Sequence, residues 1–150
     1  MPLEERRLVF VYGTLKRGFH NHRVMKDAGG EFVCTGRTQN QYPLVAQGLP
    51  YLLNHPGTGK RVEGEIFQVS TSEGWERLDR LEGHPGFYQR EVIAIEGADR
   101  DIYDAWAYFL VGDGRELAGL PHLCAYGRDS GDGAGFSTDD ATAQGSSTSL

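Results

Sequence analysis

A chain of 150 residues has room for one well-filled core and is short for two. Hydrophobic residues make up 39% and the net charge is -6 with a pI near 5.3, so the basic face of a nucleic-acid binder is missing, and Lys16, Arg17, Arg23 and Lys26 are too few to supply one. No apolar run nears the roughly 20 residues that cross a bilayer, residues 1–10 lack a secretory pattern, and Cys34 and Cys124 stand in neither a metal nor a redox spacing; these features predict a reduced, cytoplasmic monomer with no membrane or nucleic-acid partner.

The first strand signal, RLVFVY at 7–12, runs directly into Gly13-Thr14-Leu15-Lys16-Arg17-Gly18. A glycine-containing loop leaving a strand can turn successive N–H groups toward an anion, and Gly13 lets the backbone come close because no side chain intervenes. Tyr12, Gly13, Thr14 and Leu15 are therefore candidates for holding a small anionic ligand, against the plainer reading of an ordinary strand-to-turn transition. Residues 21–27 suit a short helix. Further strand signals lie at 31–36, 42–46, 61–69, 88–96 and 102–111, separated by Gly, Pro and Asp clusters. In the fourth run Val62, Gly64, Ile66 and Gln68 face one way and Glu63, Glu65, Phe67 and Val69 the other.

A second helix is predicted over 73–82. Ser70 and Glu73 have the spacing of a capping box, Gly83 supplies the stop and Pro85 prevents resumption. Strands outnumber helices, which predicts an α+β protein built on a mostly antiparallel barrel. From Gly127 to Leu150, 20 of 24 residues are Gly, Ser, Thr, Asp or Ala. Such a segment buries too little apolar surface to offset its ordering entropy, so it is read as a flexible tail.

Within the second helix Trp75, Leu78 and Leu81 form an apolar stripe, and Glu82, seven positions after Trp75, returns to the same face. Burial and the negative end of the helix dipole both disfavour an ionised carboxylate there. Such a group can carry a proton near neutral pH; the plainer reading turns Glu82 out to solvent at a frayed helix end. Other signals are set aside. His20, His22 and His84 do not make a metal-binding spacing, Gly57-Thr58-Gly59-Lys60 lacks the rest of a phosphate-binding loop, and the glycines at 131–135 have no strand before them. Arg90 is read as a structural ion-pair partner, for instance of Glu63 or Glu65.

Taken together, FVYGTLKRG (10–18), Asn21-His22-Arg23, Tyr42-Pro43-Leu44-Val45, Leu52-Leu53 before Pro56-Gly57, Val62-Glu63-Gly64-Glu65, Leu78-Asp79-Arg80-Leu81-Glu82 and Tyr88-Gln89-Arg90 resemble, in kind and order, the gamma-glutamylcyclotransferase-like superfamily, and within it the gamma-glutamylamine cyclotransferases. A weaker echo, Leu120-Pro121-His122 with Tyr126, closes the set. The resemblance implies a small barrel with flanking helices over 1–126, followed by the tail at 127–150. It implies a cavity at the barrel mouth with Tyr12 to Leu15 as one wall, Glu82 as the catalytic acid and base, and Tyr88 and Tyr126 as cavity tyrosines. Tyr88 also reads as a sheet tyrosine packed on the core. The segment after Tyr126 departs from the family pattern. The implied reaction cyclises a small gamma-glutamyl substrate to 5-oxoproline and releases its amine, without cofactor or metal. The alternative is a non-catalytic module that uses the same cavity to bind a small anionic metabolite.

Overall fold

The short apolar run LVFV makes strand β1, Leu8–Val11, whose residues alternate between two cores. The computed structural model describes residues 7–112, 117 and 119–127. After β1 come helix α1 (His22–Asp27), β2 (Glu31–Tyr42), β3 (Leu44–Gln47), β4 (Leu49–Leu52), β5 (Lys60–Gln68), helix α2 (Ser72–Glu82), β6 (Tyr88–Gly97) and β7 (Ile102–Leu110). Five strands close into a barrel in the order β1-β5-β2-β6-β7, and β3 and β4 form a separate hairpin. The barrel is mixed: β7 returns to β1 in parallel, with Val9 opposite Trp106, while its other pairings are antiparallel.

Period-two alternation divides the apolar residues between the inside and the outside of this barrel. Phe10, Val62, Ile66, Ile95, Ala105, Ala107 and Phe109 belong to one buried cluster, which fills the barrel and is closed by Leu44 and Leu52 of the hairpin. Their strand neighbours Val9, Val11, Phe67 and Tyr108 belong to a second cluster with Met25 of α1 and Leu78 of α2. The helices thus cover the outward face of β1, β5 and β7. Trp75 and Leu81 pack there partly buried, as the helical stripe predicts.

Three details differ from the sequence expectation. β2 continues to Tyr42 rather than ending near 36, with register shifts against β5 between Phe32 and Cys34 and between Arg37 and Gln41. At the second shift the buried Thr38 hydroxyl accepts from Val62 N–H at 2.8 Å and donates to the Asn40 carbonyl at 2.6 Å, so a polar side chain stands in for ladder bonds. Residues 49–52 form a strand, paired with β3 across a turn at Gly48. The N-cap of α2 is Thr71, whose hydroxyl accepts from Gly74 N–H at 3.0 Å, which moves the cap one residue on from Ser70. Gly83 ends the helix at φ 71°, as expected, in the left-handed conformation that glycine adopts without strain.

Among the described residues no helix is long and apolar enough to cross a membrane. The predicted tail lies outside the described residues from position 128, and so do the glycines at 131–135.

Candidate active site

Where β1 ends, residues 12–16 fold into a turn in which Lys16 N–H donates to the Gly13 carbonyl at 3.1 Å. The start of α1 braces that turn. Asn21 donates through its side chain to Thr14 Oγ1 at 2.9 Å and through its backbone to the Thr14 carbonyl at 3.1 Å. The His22 ring nitrogen Nδ1 lies 3.0 Å from the Leu15 carbonyl, which can only accept, so it donates there. Lys16 is buried, and its ammonium donates to the Tyr126 carbonyl at 2.8 Å. With the carbonyls of residues 13–15 taken in this way, the amides of Gly13 and Leu15 donate to no described residue. Gly13 is needed for a close approach: a Cβ there would stand 2.7 Å from Pro50 Cγ of the hairpin.

The loop, Pro50, Glu82, Tyr88 and Tyr108 enclose a cavity of about 30 Å³, room for one or two waters, so a larger ligand enters with only its tip. Glu82, the last residue of α2, contributes the carboxyl. Its pKa is pushed up to about 8, first because burial strips water from the charged form and second because the Asp79 carboxylate repels it. The helix C-terminus acts in the same sense. The phenols around it are hydrogen-bonded and stay neutral: Tyr88 donates to the Pro50 carbonyl at 2.6 Å and Tyr12 to the Tyr108 carbonyl at 2.5 Å. Burial raises the pKa of Tyr12, Tyr88 and Tyr108. The cavity therefore offers one carboxyl that titrates near neutrality, set among neutral hydroxyls.

Behind this wall Asp79 accepts from Arg90 Nε at 2.8 Å, from Arg90 Nη2 at 3.1 Å and from the Tyr108 hydroxyl at 2.6 Å. Burial pushes its carboxyl up, but the bonds from Arg90 and Tyr108 outweigh that and hold it below its ordinary value. Arg90 also stacks over Trp75 and Trp106, 4.9 and 4.6 Å from the ring centroids. The ion-pair partner of Arg90 is thus Asp79, not Glu63 or Glu65. The barrel order explains this, since β6 neighbours β2 and β7 and not the β5 strand that carries those glutamates. Glu65 pairs instead with Arg17, at 3.3 Å.

Of the residues singled out in the sequence, Tyr12, Gly13, Thr14, Leu15, Glu82 and Tyr88 meet around this cavity. Tyr126 stands back from this group: it packs beside the barrel core, 6.2 Å from the Phe19 ring, gives its backbone carbonyl to Lys16, and comes near enough to Tyr88 to add to the rise of that phenol's pKa. Sequence reasoning missed Tyr108 and Pro50 as walls, Asn21 and His22 as braces, and Asp79. Tyr108 alternates with core residues in an ordinary strand pattern, and only strand pairing brings it beside α2. Asn21 and His22 stand in the sequence as part of a family motif that assigns them no role, and among the described residues no group of three or more His, Cys, Asp or Glu side chains could hold a metal ion. A larger open hollow of about 500 Å³, with Arg37, Glu63, Glu96 and Arg100 in its walls, shares no wall residue with the Glu82 cavity. Its charges are in part paired, Glu96 with Arg61 at 2.7 Å.

Comparison with known proteins finds relatives in both sequence and structure. Residues 9–127 match the family described as "Gamma-glutamyl cyclotransferase, AIG2-like". A gamma-glutamylaminecyclotransferase of Homo sapiens is 46% identical over 95 residues, covering 59% of this chain and 61% of that protein, so the match spans about three fifths of the relative's length. One from Bos taurus is 42% identical over 126 residues, covering 79% of this chain and 74% of that protein. The crystal structure of an AIG2-like protein from Mus musculus superposes with a TM-score of 0.76 at 34% identity, covering 85% of this chain and 92% of the other.

Proposed function

This chain belongs to the gamma-glutamyl cyclotransferase, AIG2-like family, and on that premise we propose that it converts a gamma-glutamyl amine to 5-oxoproline and the free amine, with Glu82 carrying the proton. The observation that supports this reading is a single carboxyl, held near neutral pKa, lining the same small cavity as a loop whose Gly13 and Leu15 amides donate to no described residue. The names of the human and bovine relatives favour an amine as the leaving group, and gamma-glutamyl-epsilon-lysine is the proposed substrate.

The chemistry asks little of the protein, because nucleophile and electrophile belong to one molecule. Well-oriented intramolecular reactions reach effective molarities on the order of 10⁵ M or more. The substrate's alpha-ammonium must first lose a proton. Its positive charge beside Glu82 draws that carboxyl toward the ionised form, which then accepts the proton. The freed amine attacks the gamma-carbonyl carbon and closes the five-membered ring, with the developing oxyanion facing the amides of Gly13 and Leu15. The bond to the leaving amine then breaks as Glu82 returns that proton to it, and the ring nitrogen, cationic after the attack, gives up its second proton to the departing amine, which leaves as an ammonium ion while Glu82 ends ionised as it began. The small cavity takes only the tip of the substrate, where the alpha-amine meets the gamma-carbonyl, and the rest of the molecule extends past Pro50 and Tyr88 toward solvent. Tyr12, Thr14 and Tyr88 fix the walls of the pocket.

The test is direct. Purified protein is incubated with gamma-glutamyl-epsilon-lysine, gamma-glutamyl-alpha-amino acids and glutathione, and 5-oxoproline is measured by mass spectrometry. Release from the lysine conjugate is expected, with a loss of roughly 10²–10⁴-fold in E82Q. An E82Q protein that keeps more than a tenth of wild-type turnover removes Glu82 from the proton path. A folded protein that releases no 5-oxoproline from any of the substrates returns the cavity to a binding role.

A further inference from the structure

We propose that Asp79, held by Arg90 and Tyr108, is a positioning residue for Glu82: it aims that carboxyl into the cavity and, together with Arg90, sets how readily the carboxyl parts with its proton. The inference rests on the reading of Glu82 as the proton carrier. Asp79 precedes Glu82 by three positions on α2, so the two side chains are neighbours on the helix surface, with Cβ atoms about 5–6 Å apart. Asp79 is not itself a wall of the cavity. Its three hydrogen bonds come from β6, through Arg90, and from β7, through Tyr108. The last turn of α2 is therefore fastened to two strands one turn before the residue that faces the substrate.

The same network reaches the opposite wall. Tyr108, which donates to Asp79, lines the cavity and gives its carbonyl to the Tyr12 hydroxyl. Arg90 approaches in one orientation because Trp75 and Trp106 stack on its guanidinium, and the two-pronged contact with a carboxylate adds directional rigidity. A Lys would keep the charge and lose the fork.

The groups facing this pair come from each packed element: Tyr12 from the loop after β1, Tyr88 and Arg90 from β6, Tyr108 from β7, and His84 from the α2–β6 connection, whose Nδ1 accepts from Arg90 N–H at 3.3 Å. The tyrosines are held neutral by burial. Asp79 and Arg90 carry opposite full charges, so removing one or the other must move Glu82 in opposite directions. A purely structural role has no such sign.

The experiment titrates the Glu82 carboxyl by carbon-detected NMR in the wild type, D79N, R90Q and R90K, with E82Q to assign the signal, and records kcat/KM against pH for the same proteins. In D79N the midpoint is expected to fall by about one pH unit, and in R90Q, where Asp79 is left uncompensated, to rise by a similar amount. R90K, which keeps the charge, returns the midpoint close to wild type while kcat stays reduced. The ascending limb of kcat/KM follows each midpoint. Midpoints that stay in place, or that move the same way in D79N and R90Q, overturn the proposal. Should D79N fail to fold, R90Q against R90K still decides the sign. Midpoints that move as expected in a protein that forms no 5-oxoproline establish the coupling and refute the catalytic reading, so the two failures are distinct.

Discussion

Glu82 sits where the fold prefers it neutral, and that preference has a measurable consequence for stability. Its pKa of about 8 in the folded protein lies above its ordinary value of 4.5. The folded state therefore holds the proton more tightly than the unfolded chain does. The contribution is fully present below pH 4.5, declines as pH rises toward 8, and is flat above. A tenfold difference in proton affinity between the two states corresponds to about 1.4 kcal/mol, and discounting for the partial exposure of the residue leaves roughly 1–3 kcal/mol. E82Q, which cannot ionise, is expected to melt at a higher temperature than wild type at pH 8.5 and to match it at pH 4; equal melting temperatures at both values would show that the carboxyl is solvated. The helical period makes this acid visible in the sequence, because seven residues return it to the stripe of Trp75, Leu78 and Leu81, but it leaves a turn out to solvent equally open, and it is the family resemblance that singles the residue out. Asp79 and Tyr108 were not legible, since their meaning depends on β6 and β7 arriving beside α2, and no local pattern encodes that arrival.

At the scale of elements, boundaries were set by hydrogen bonds that spacing alone described one residue off. Both Ser70 and Thr71 are good N-cap residues, and Glu73 makes Ser70 look like the start of a capping box. In the fold Thr71 takes the Gly74 amide, and Gly74 lies buried against the carbonyl of Ala28, which anchors the helix start to the end of α1. T71A is expected to cost about 1 kcal/mol in urea unfolding and S70A close to nothing. The reverse order would place the cap at Ser70. Because the cap lies at the opposite end of α2 from Glu82, neither change should alter kcat much. β4 was missed for a related reason. A Pro at position 50 argues against a strand, yet the hairpin needs only β3 as a partner, and this Pro fills the space above Gly13 while its carbonyl takes the Tyr88 hydroxyl.

For the whole molecule, the barrel was legible from alternating runs and turn clusters, whereas its closure, with β7 joining β1 in parallel, follows from packing across the entire chain. Three glycines lie in register across neighbouring strands, Gly64 of β5 opposite Gly36 of β2, and Gly36 opposite Gly97 of β6. At Gly64 a Cβ would press on the Val11 carbonyl and come within 2.8 Å of Phe10 Cζ, so the inward ring of Phe10 occupies the space that a side chain would need. Neither obstacle can yield cheaply, since one is backbone and the other is a fully buried ring. G64A is therefore expected to destabilise the protein by about 2 kcal/mol. Displacing Val11 moves the strand that leads straight into Tyr12 and Gly13, so turnover of a gamma-glutamyl amine should fall even at temperatures where the variant remains folded. G86A is the control, because the nearest atom to its added Cβ would be 3.8 Å away; it should leave the melting temperature within a degree or two of wild type. A G64A protein as stable and as active as G86A would mean that the barrel wall can shift outward at β5 without disturbing the loop, and the link drawn between closure and catalytic geometry would fail.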